Sequence, residues 1–148
     1  MVSASGIPEK AEHVAHNHEC SVLGVLKLPQ MAEHNRQAAE DHYYRALDFF
    51  GENQHEQAAQ EYQKAIELDS TFTDAMHGLV RVYQDLGRFD EAIPVAQKIA
   101  ECDPNDILAH TSLSILYQKK GMVPEAEAEA NKARVLGWKQ QLQEKKQG

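Results

Sequence analysis

Cysteine is scarce in this sequence of 148 residues, and so are long apolar runs. The two cysteines, Cys20 and Cys102, are too few for a disulfide framework, and the apolar helical pattern around Cys102 predicts a reduced core thiol. No apolar run approaches the roughly 20 residues that span a bilayer. The apolar stretch at 21–28 follows an acidic, histidine-rich lead, unlike the basic start of a secretory signal. We therefore expect a cytoplasmic protein without a membrane span.

Positive charge is scarce too, except near the C-terminus. The formal net charge of the chain is −8. Residues 1–35 contribute −2 and residues 36–131 contribute −10, whereas residues 132–148 contribute +4. An acidic surface repels phosphate backbones, so nucleic acid is not an expected partner. Hydrophobic residues nevertheless make up 42% of the chain, which is enough to build a globular core.

The sequence also lacks the common catalytic motifs. It contains no glycine-rich phosphate loop, no nucleophile elbow and no His-Glu-x-x-His zinc motif. Carboxylates are abundant, but their positions are typical of solvated helix faces. We therefore predict that the protein is not an enzyme.

One N-terminal cluster has the composition of a metal site. It holds four side chains of the kinds that bind zinc and other transition metals. These are His13, His16, His18 and Cys20. Their spacing matches no named zinc motif, so a polar surface segment with incidental histidines is the alternative. A transition metal at this cluster is the one cofactor that the sequence suggests.

A fixed period runs through the rest of the chain, equal to the step from position 87 to position 121. The segment Gly-Arg-Phe-Asp-Glu-Ala at 87–92 recurs in altered form as Gly-Met-Val-Pro-Glu-Ala at 121–126. One period before Phe-Asp-Glu-Ala at 89–92, the sequence at 55–58 is His-Glu-Gln-Ala. Tyr83 likewise recurs one period later as Tyr117. Several matches in phase at one period indicate a repeat protein.

Each repeat has the pattern of two helices joined by a tight turn. In the middle repeat, Met76, Leu79 and Tyr83 fall on one face at helical spacing. Gly87 follows them, and glycine tolerates the left-handed conformation that ends a helix. A second apolar stripe then continues to Pro104, which cannot extend a helix.

This pattern resembles the tetratricopeptide repeat family. The resemblance covers about two-thirds of the chain and implies an all-α fold, a right-handed superhelix of helix-turn-helix repeats. It divides the chain into an N-terminal extension (1–35), a repeat region (36–136) with repeats at 39–72, 73–106 and 107–136, and a short basic C-terminal capping tail (137–148). The first repeat departs most from the family pattern, because His42 and Arg45 stand where bulky apolar residues are usual.

The resemblance implies that the protein binds other proteins. In this family, the first helices of the repeats line a concave groove that takes an extended peptide or a partner helix. The register assigns to this groove Tyr43, Leu47 and Phe50, then His77, Arg81 and Gln84, and finally Thr111, Ile115 and Gln118. Tyr43 and Leu47 replace the Lys and Asn of the family's clamp for chaperone C-termini, so a chaperone tail is disfavoured. The expected role is a scaffold or accessory subunit with a protein or peptide partner.

An apolar segment of the N-terminal extension offers the main alternative. Its members are Val22, Leu23, Val25, Leu26 and Leu28. Such a cluster is poorly suited to disorder, so it is expected to pack on the first repeat or on a partner chain. If it enters the groove of a neighbouring copy, the protein self-assembles into a dimer or a filament. Metal binding by the histidine cluster is a further alternative function.

Overall fold

The computed structural model describes the backbone of residues 29–148, with side chains from residue 33 onward. The described residues form six helices and no strands: α1 (Pro29–Gly51), α2 (His55–Leu68), α3 (Thr73–Asp85), α4 (Phe89–Cys102), α5 (Ile107–Lys119) and α6 (Val123–Gln147). The predicted all-α fold is thus confirmed. Within this described part, no helix is both long and apolar enough to cross a membrane. The cytoplasmic location stays a prediction.

The turns inside the three repeats share one backbone geometry. Asn53, Gly87 and Gly121 have φ angles of 64°, 74° and 76°, and each lies one repeat period after the one before it. In each turn, the next backbone N–H donates to a carbonyl near the end of the preceding helix at 2.8 Å. The accepting residues are Phe49, Tyr83 and Tyr117. The left-handed turn predicted from Gly87 is therefore present in all three repeats.

The chain divides into two compact units, and the first is Met1–Ala75. Helix α1 packs on α2 in this unit, and its core consists of small residues and two aromatic rings. The buried members are Ala39, Ala46, Ala58, Ala59, Tyr62, Ala65 and Phe72. Helix α1 begins at Pro29, inside the segment that the sequence assigned to the N-terminal extension. Proline suits the first position of a helix, because its missing N–H has no intrahelical partner there.

The second unit is Met76–Gly148. Within it α5 packs against both α4 and α6. The apolar stripes predicted for the middle repeat are buried, together with matching residues of the third repeat. These are Met76, Leu79, Val80 and Tyr83 on α3, Ala92, Ala96 and Ile99 on α4, Leu113 and Leu116 on α5, and Ala126 on α6.

Helix α6 continues well past the last repeat. It runs without a break through Gly137, the point at which the sequence divides the third repeat from a capping tail. Lysine, glutamine and glutamate favour helix, and the following sequence consists mainly of these residues. Trp138 and Leu142 are each 59% exposed, so neither side chain is buried against the last repeat.

One expectation about cysteine is wrong. Cys102, half-buried at the end of α4, is disulfide-bonded and is not the reduced thiol that its apolar surroundings suggested. An apolar helical pattern indicates burial, but it carries no information on whether a second sulfur lies nearby. The other cysteine of the chain, Cys20, lies outside the described residues.

Candidate partner-binding surface

One repeat position presents a large side chain to solvent in all three first helices. It is occupied by Leu47 on α1, Arg81 on α3 and Ile115 on α5, which follow one another at the repeat period. Leu47 is 40% exposed and Ile115 is 43% exposed, although both are aliphatic. The residue before each of them is buried, so helical geometry turns this position away from the core. This register position is therefore at the surface, and its role in partner binding stays a prediction.

The predicted position one turn earlier makes internal contacts instead. The ring of Tyr43 lies 5.1 Å from that of Phe72, and His77 Nε2 donates to Asp106 Oδ2 at 2.7 Å. Phe72 and Asp106 are also one repeat period apart, and each lies just before the first helix of the next repeat. An aromatic contact in one repeat therefore corresponds to a hydrogen bond in the next. Tyr43 and His77 serve packing in addition to any role in binding.

The other residues that the register predicts for the groove differ in their exposure and contacts. Thr111 is exposed, but its hydroxyl donates to the carbonyl of Ile107 at 2.9 Å. Gln118 is exposed, and Gln84 is half-buried. The half-buried ring of Phe50 meets that of His55 edge to face, with 5.4 Å between centroids.

Two exposed residues extend this surface beyond the predicted set. Tyr44 is largely exposed, and its ring contacts that of Tyr43 at 5.6 Å. Leu108 is exposed on α5, one turn before Thr111, so it continues the row toward Ile115. Its three-residue spacing from Thr111 was the available signal. Burial, with the charge of Asp74 as a second cause, raises the pKa of Tyr43.

Charge at this surface is modest. The Arg81 side chain is 67% exposed, and its Nε lies 3.3 Å from Asp85 Oδ1, one turn along α3. An exposed pair of this kind contributes little to stability, and a ligand can compete for either member. Arg81 therefore remains available to an acidic group of a partner.

A polar cluster recurs in the first and third repeats. His42 Nδ1 lies 2.6 Å from Glu61 Oε2, and Lys64 approaches the other oxygen of the same carboxylate at 3.5 Å. The equivalent residues two repeat periods later are His110, Glu129 and Lys132, with distances of 2.6 Å and 2.8 Å. This explains how His42 replaces a bulky apolar residue, since its ring is paired where the middle repeat has Met76.

The histidine of the third-repeat cluster has a polar partner at each ring nitrogen. His110 is only 7% exposed. Its Nδ1 faces the carboxylate of Glu129, and its Nε2 faces the carbonyl oxygen of Pro104 at 2.9 Å. Each ring nitrogen therefore lies within hydrogen-bond distance of an oxygen that can accept a hydrogen bond. The largely buried contact between His110 and Glu129 joins α5 to α6.

The predicted metal site and the apolar segment lie outside the described residues. This applies to His13, His16, His18 and Cys20, and to Val22, Leu23, Val25, Leu26 and Leu28. Among residues that the structure describes, no group of three or more His, Cys, Asp or Glu side chains could hold a metal ion. Metal binding and self-assembly through these segments stay predictions.

Comparison with known proteins agrees with this geometry. Residues 49–116 match the family model of the tetratricopeptide repeat. The crystal structure of MamA is similar at 30% identity and a TM-score of 0.68, covering 70% of this chain and 60% of that chain. This chain thus spans less than two-thirds of the MamA protein that it matches. No curated protein matches its sequence.

Two further solved structures have peptides bound. The second TPR of Spaghetti (RPAP3), bound to an HSP90 peptide, is 21% identical with a TM-score of 0.66, covering 71% of this chain and 97% of that one. SycD of Yersinia enterocolitica, in complex with a peptide of the translocator YopD, is 25% identical with a TM-score of 0.63, covering 66% and 74%.

Proposed function

From the premise that this chain is a tetratricopeptide repeat protein, we propose that it is an interaction module that binds a peptide or helix of another protein. The binding surface is the exposed face of the first helices of its repeats. The observation that carries the proposal is the exposure of Leu47 and Ile115 at the same repeat position. The proposal assigns a scaffold or accessory role and no catalytic activity.

The chemistry of this position indicates what kind of ligand it takes. Covering an exposed aliphatic side chain with a ligand contributes roughly 25 cal/mol of favourable binding free energy for each Å² of apolar surface buried. Leu47 and Ile115 therefore suit apolar anchor residues of a peptide or an amphipathic helix. Arg81, at the same position in the middle repeat, suits an acidic residue. The preferred ligand carries apolar anchors together with an acidic side chain.

The peptide complexes of the structural neighbours support this class of function. The HSP90 and YopD peptides are ligands of RPAP3 and SycD, respectively. They indicate that helix pairs of this fold take short segments of other proteins. The Lys and Asn of the chaperone-tail clamp are replaced here by Tyr43 and Leu47, so we propose a ligand other than a chaperone C-terminus.

A library of displayed random peptides tests the proposal. We expect the chain to select peptides rich in apolar and acidic residues. The Leu47→Asp and Ile115→Asp variants should each lose at least tenfold in affinity for them, about 1.4 kcal/mol. Both side chains are exposed, so circular dichroism should show unchanged helix content.

The matched control for this test is Val123→Asp. Val123 is an apolar, exposed residue at the start of α6, and it belongs neither to the first helices nor to the last part of α6. This variant should bind the selected peptides as the unmodified chain does. If Val123→Asp loses the peptides while the Leu47 and Ile115 variants keep them, the binding surface is not the one proposed.

A further inference from the structure

The last part of α6 carries an exposed apolar seam. Val135, Trp138 and Leu142 lie at spacings of three and four residues on one face, and all three are exposed. The same alternating spacing of three and four residues, continued toward the N-terminus of α6, reaches Asn131 and Ala128. This is the a/d pattern by which one helix packs along another. The first helices of the repeats do not include this surface.

Cations border the seam. In this pattern the a positions are 128, 135 and 142, and the d positions are 131, 138 and 145. Lys132, Lys139 and Lys146 each follow a d position, so they form one row along the side of the seam at seven-residue spacing. Arg134 borders the opposite side, while Glu144 lies on the far face of the helix. In a chain whose net charge is −8, residues 132–148 therefore form a local basic surface with an apolar centre.

The beginning of the seam forms one wall of an open trough. The trough has a volume of about 840 Å³ and lies among α4, α5 and α6. Ala128, Asn131 and Val135 line it from α6, Leu113 lines it from α5, and Ala100 lines it from α4. A helix laid along the seam would thus enter the trough at one end and cover Trp138 and Leu142 at the other.

We infer that this seam and trough form a second docking site, which binds an acidic amphipathic helix of another protein. Apolar residues of the partner pack against Val135, Trp138 and Leu142. Aspartate or glutamate residues beside them pair with the lysine row, as charged residues flanking a coiled-coil seam do. Glu101 on the α4 wall repels the acidic residues of the partner helix, so these residues lie on the α6 side, beside the lysine row. This repulsion sets the orientation of the partner.

Charge disfavours a second copy of the same helix as the occupant. Parallel pairing of two α6 helices would place Arg134 of one against Lys139 of the other. Antiparallel pairing would place one lysine row against the other. Both arrangements bring like charges together.

The narrowness of the seam disfavours an anionic membrane. Helices that lie in a membrane surface bury a broad apolar face. Here three large apolar residues form a single line, which is the width of a helix–helix contact. The net charge of −8 also repels an anionic surface over the rest of the chain.

Trp138 is the only tryptophan in the chain, so its fluorescence reports directly on this site. The probe is a synthetic three-heptad helical peptide with leucine at a and d and glutamate at e and g. We expect it to shift the Trp138 emission to shorter wavelengths in a saturable manner. Affinity should fall as salt is added, because cation–carboxylate pairs hold the complex.

Two variants and one peptide complete the test. Lys139→Glu should weaken the acidic peptide roughly tenfold, or about 1.4 kcal/mol, whereas Lys119→Glu on α5 is the matched control and should not. A peptide with lysine in place of glutamate should leave the emission unchanged.

Any of four results would overturn the proposal. These are no shift with the acidic peptide, an equal shift with the basic one, a shift with phosphatidylserine vesicles in place of the peptide, or a concentration-dependent shift of the protein alone. The last two would identify a membrane or a second copy as the occupant. The Trp138 emission reports on this site alone, whereas the affinity of the Leu47 variant for displayed peptides tests the proposed function. Either proposal can therefore be overturned without the other.

Discussion

The His42 and His110 clusters show how a single repeat position can be either polar or apolar. Burial would raise the pKa of Glu61 and of Glu129, but hydrogen bonds outweigh it and lower both values. The donors to Glu61 are His42 and Lys64; those to Glu129 are Lys132 and His110. Asp69 shows the same balance, since burial opposes but hydrogen bonds from Thr71 and Arg36 lower its pKa. All three carboxylates are thus stabilised in their charged form.

These lowered pKa values predict loss of stability in acid. The folded chain releases protons from Glu61, Asp69 and Glu129 at a lower pH than the unfolded chain does. The contribution to stability is therefore present above about pH 4, the usual range of free carboxylates, and is lost as the pH falls through the folded values. Urea denaturation from pH 7 downward should show a midpoint that decreases in this window.

A paired set of variants assigns this effect to the clusters. The Glu61→Gln, Glu129→Gln double variant should be less stable at pH 7 and should show a shallower loss on acidification. The control is Glu67→Gln, Glu127→Gln, which changes two exposed carboxylates on the same helices. If the urea midpoint falls equally steeply on acidification in both double variants, the effect does not come from Glu61 and Glu129.

Among the structural elements, the turns and α6 use glycine in opposite ways. Gly87 has a φ angle of 74°, and a Cβ there would meet no atom within 4 Å. Gly137 lies within α6, and a Cβ there would also meet nothing within 4 Å. Added methyl groups would be equally free of contacts at the two sites, so only the backbone conformation separates them.

Alanine substitution should therefore have opposite effects at these positions. Gly87→Ala should lower the free energy of unfolding by about 1 kcal/mol, because an L side chain is strained in the left-handed region. Gly137→Ala should raise it by up to about 1 kcal/mol, because alanine favours helix. Urea denaturation measures both changes. Destabilisation by Gly137→Ala would show that α6 is not a continuous helix at this point.

For the whole molecule, the repeat period predicted most of the fold. The anchors of the middle repeat predicted its buried stripes and its left-handed turn, because local sequence determines helix faces and turn geometry. The same register aligns Leu47, Arg81 and Ile115, which are exposed; that they bind a partner stays a prediction. These are properties of one helix or one turn, which a spacing pattern describes well.

Contacts between residues distant in sequence could not be predicted in this way. The pairing of His77 with Asp106, or of His42 with Glu61, depends on how one helix packs on another. The sequence showed only that His42 departs from the family pattern. Likewise, the repeat boundary at 136 gave no indication that α6 continues to Gln147, because a register describes the repeats and not the segment after the last of them.

The central claim is that partners bind the exposed face of the first helices. Amide chemical-shift mapping with a peptide selected from the displayed library tests it most directly. We expect the largest shifts around Leu47 on α1, Arg81 on α3 and Ile115 on α5. Shifts confined to α2, α4 and α6, with these three positions unchanged, would contradict the account.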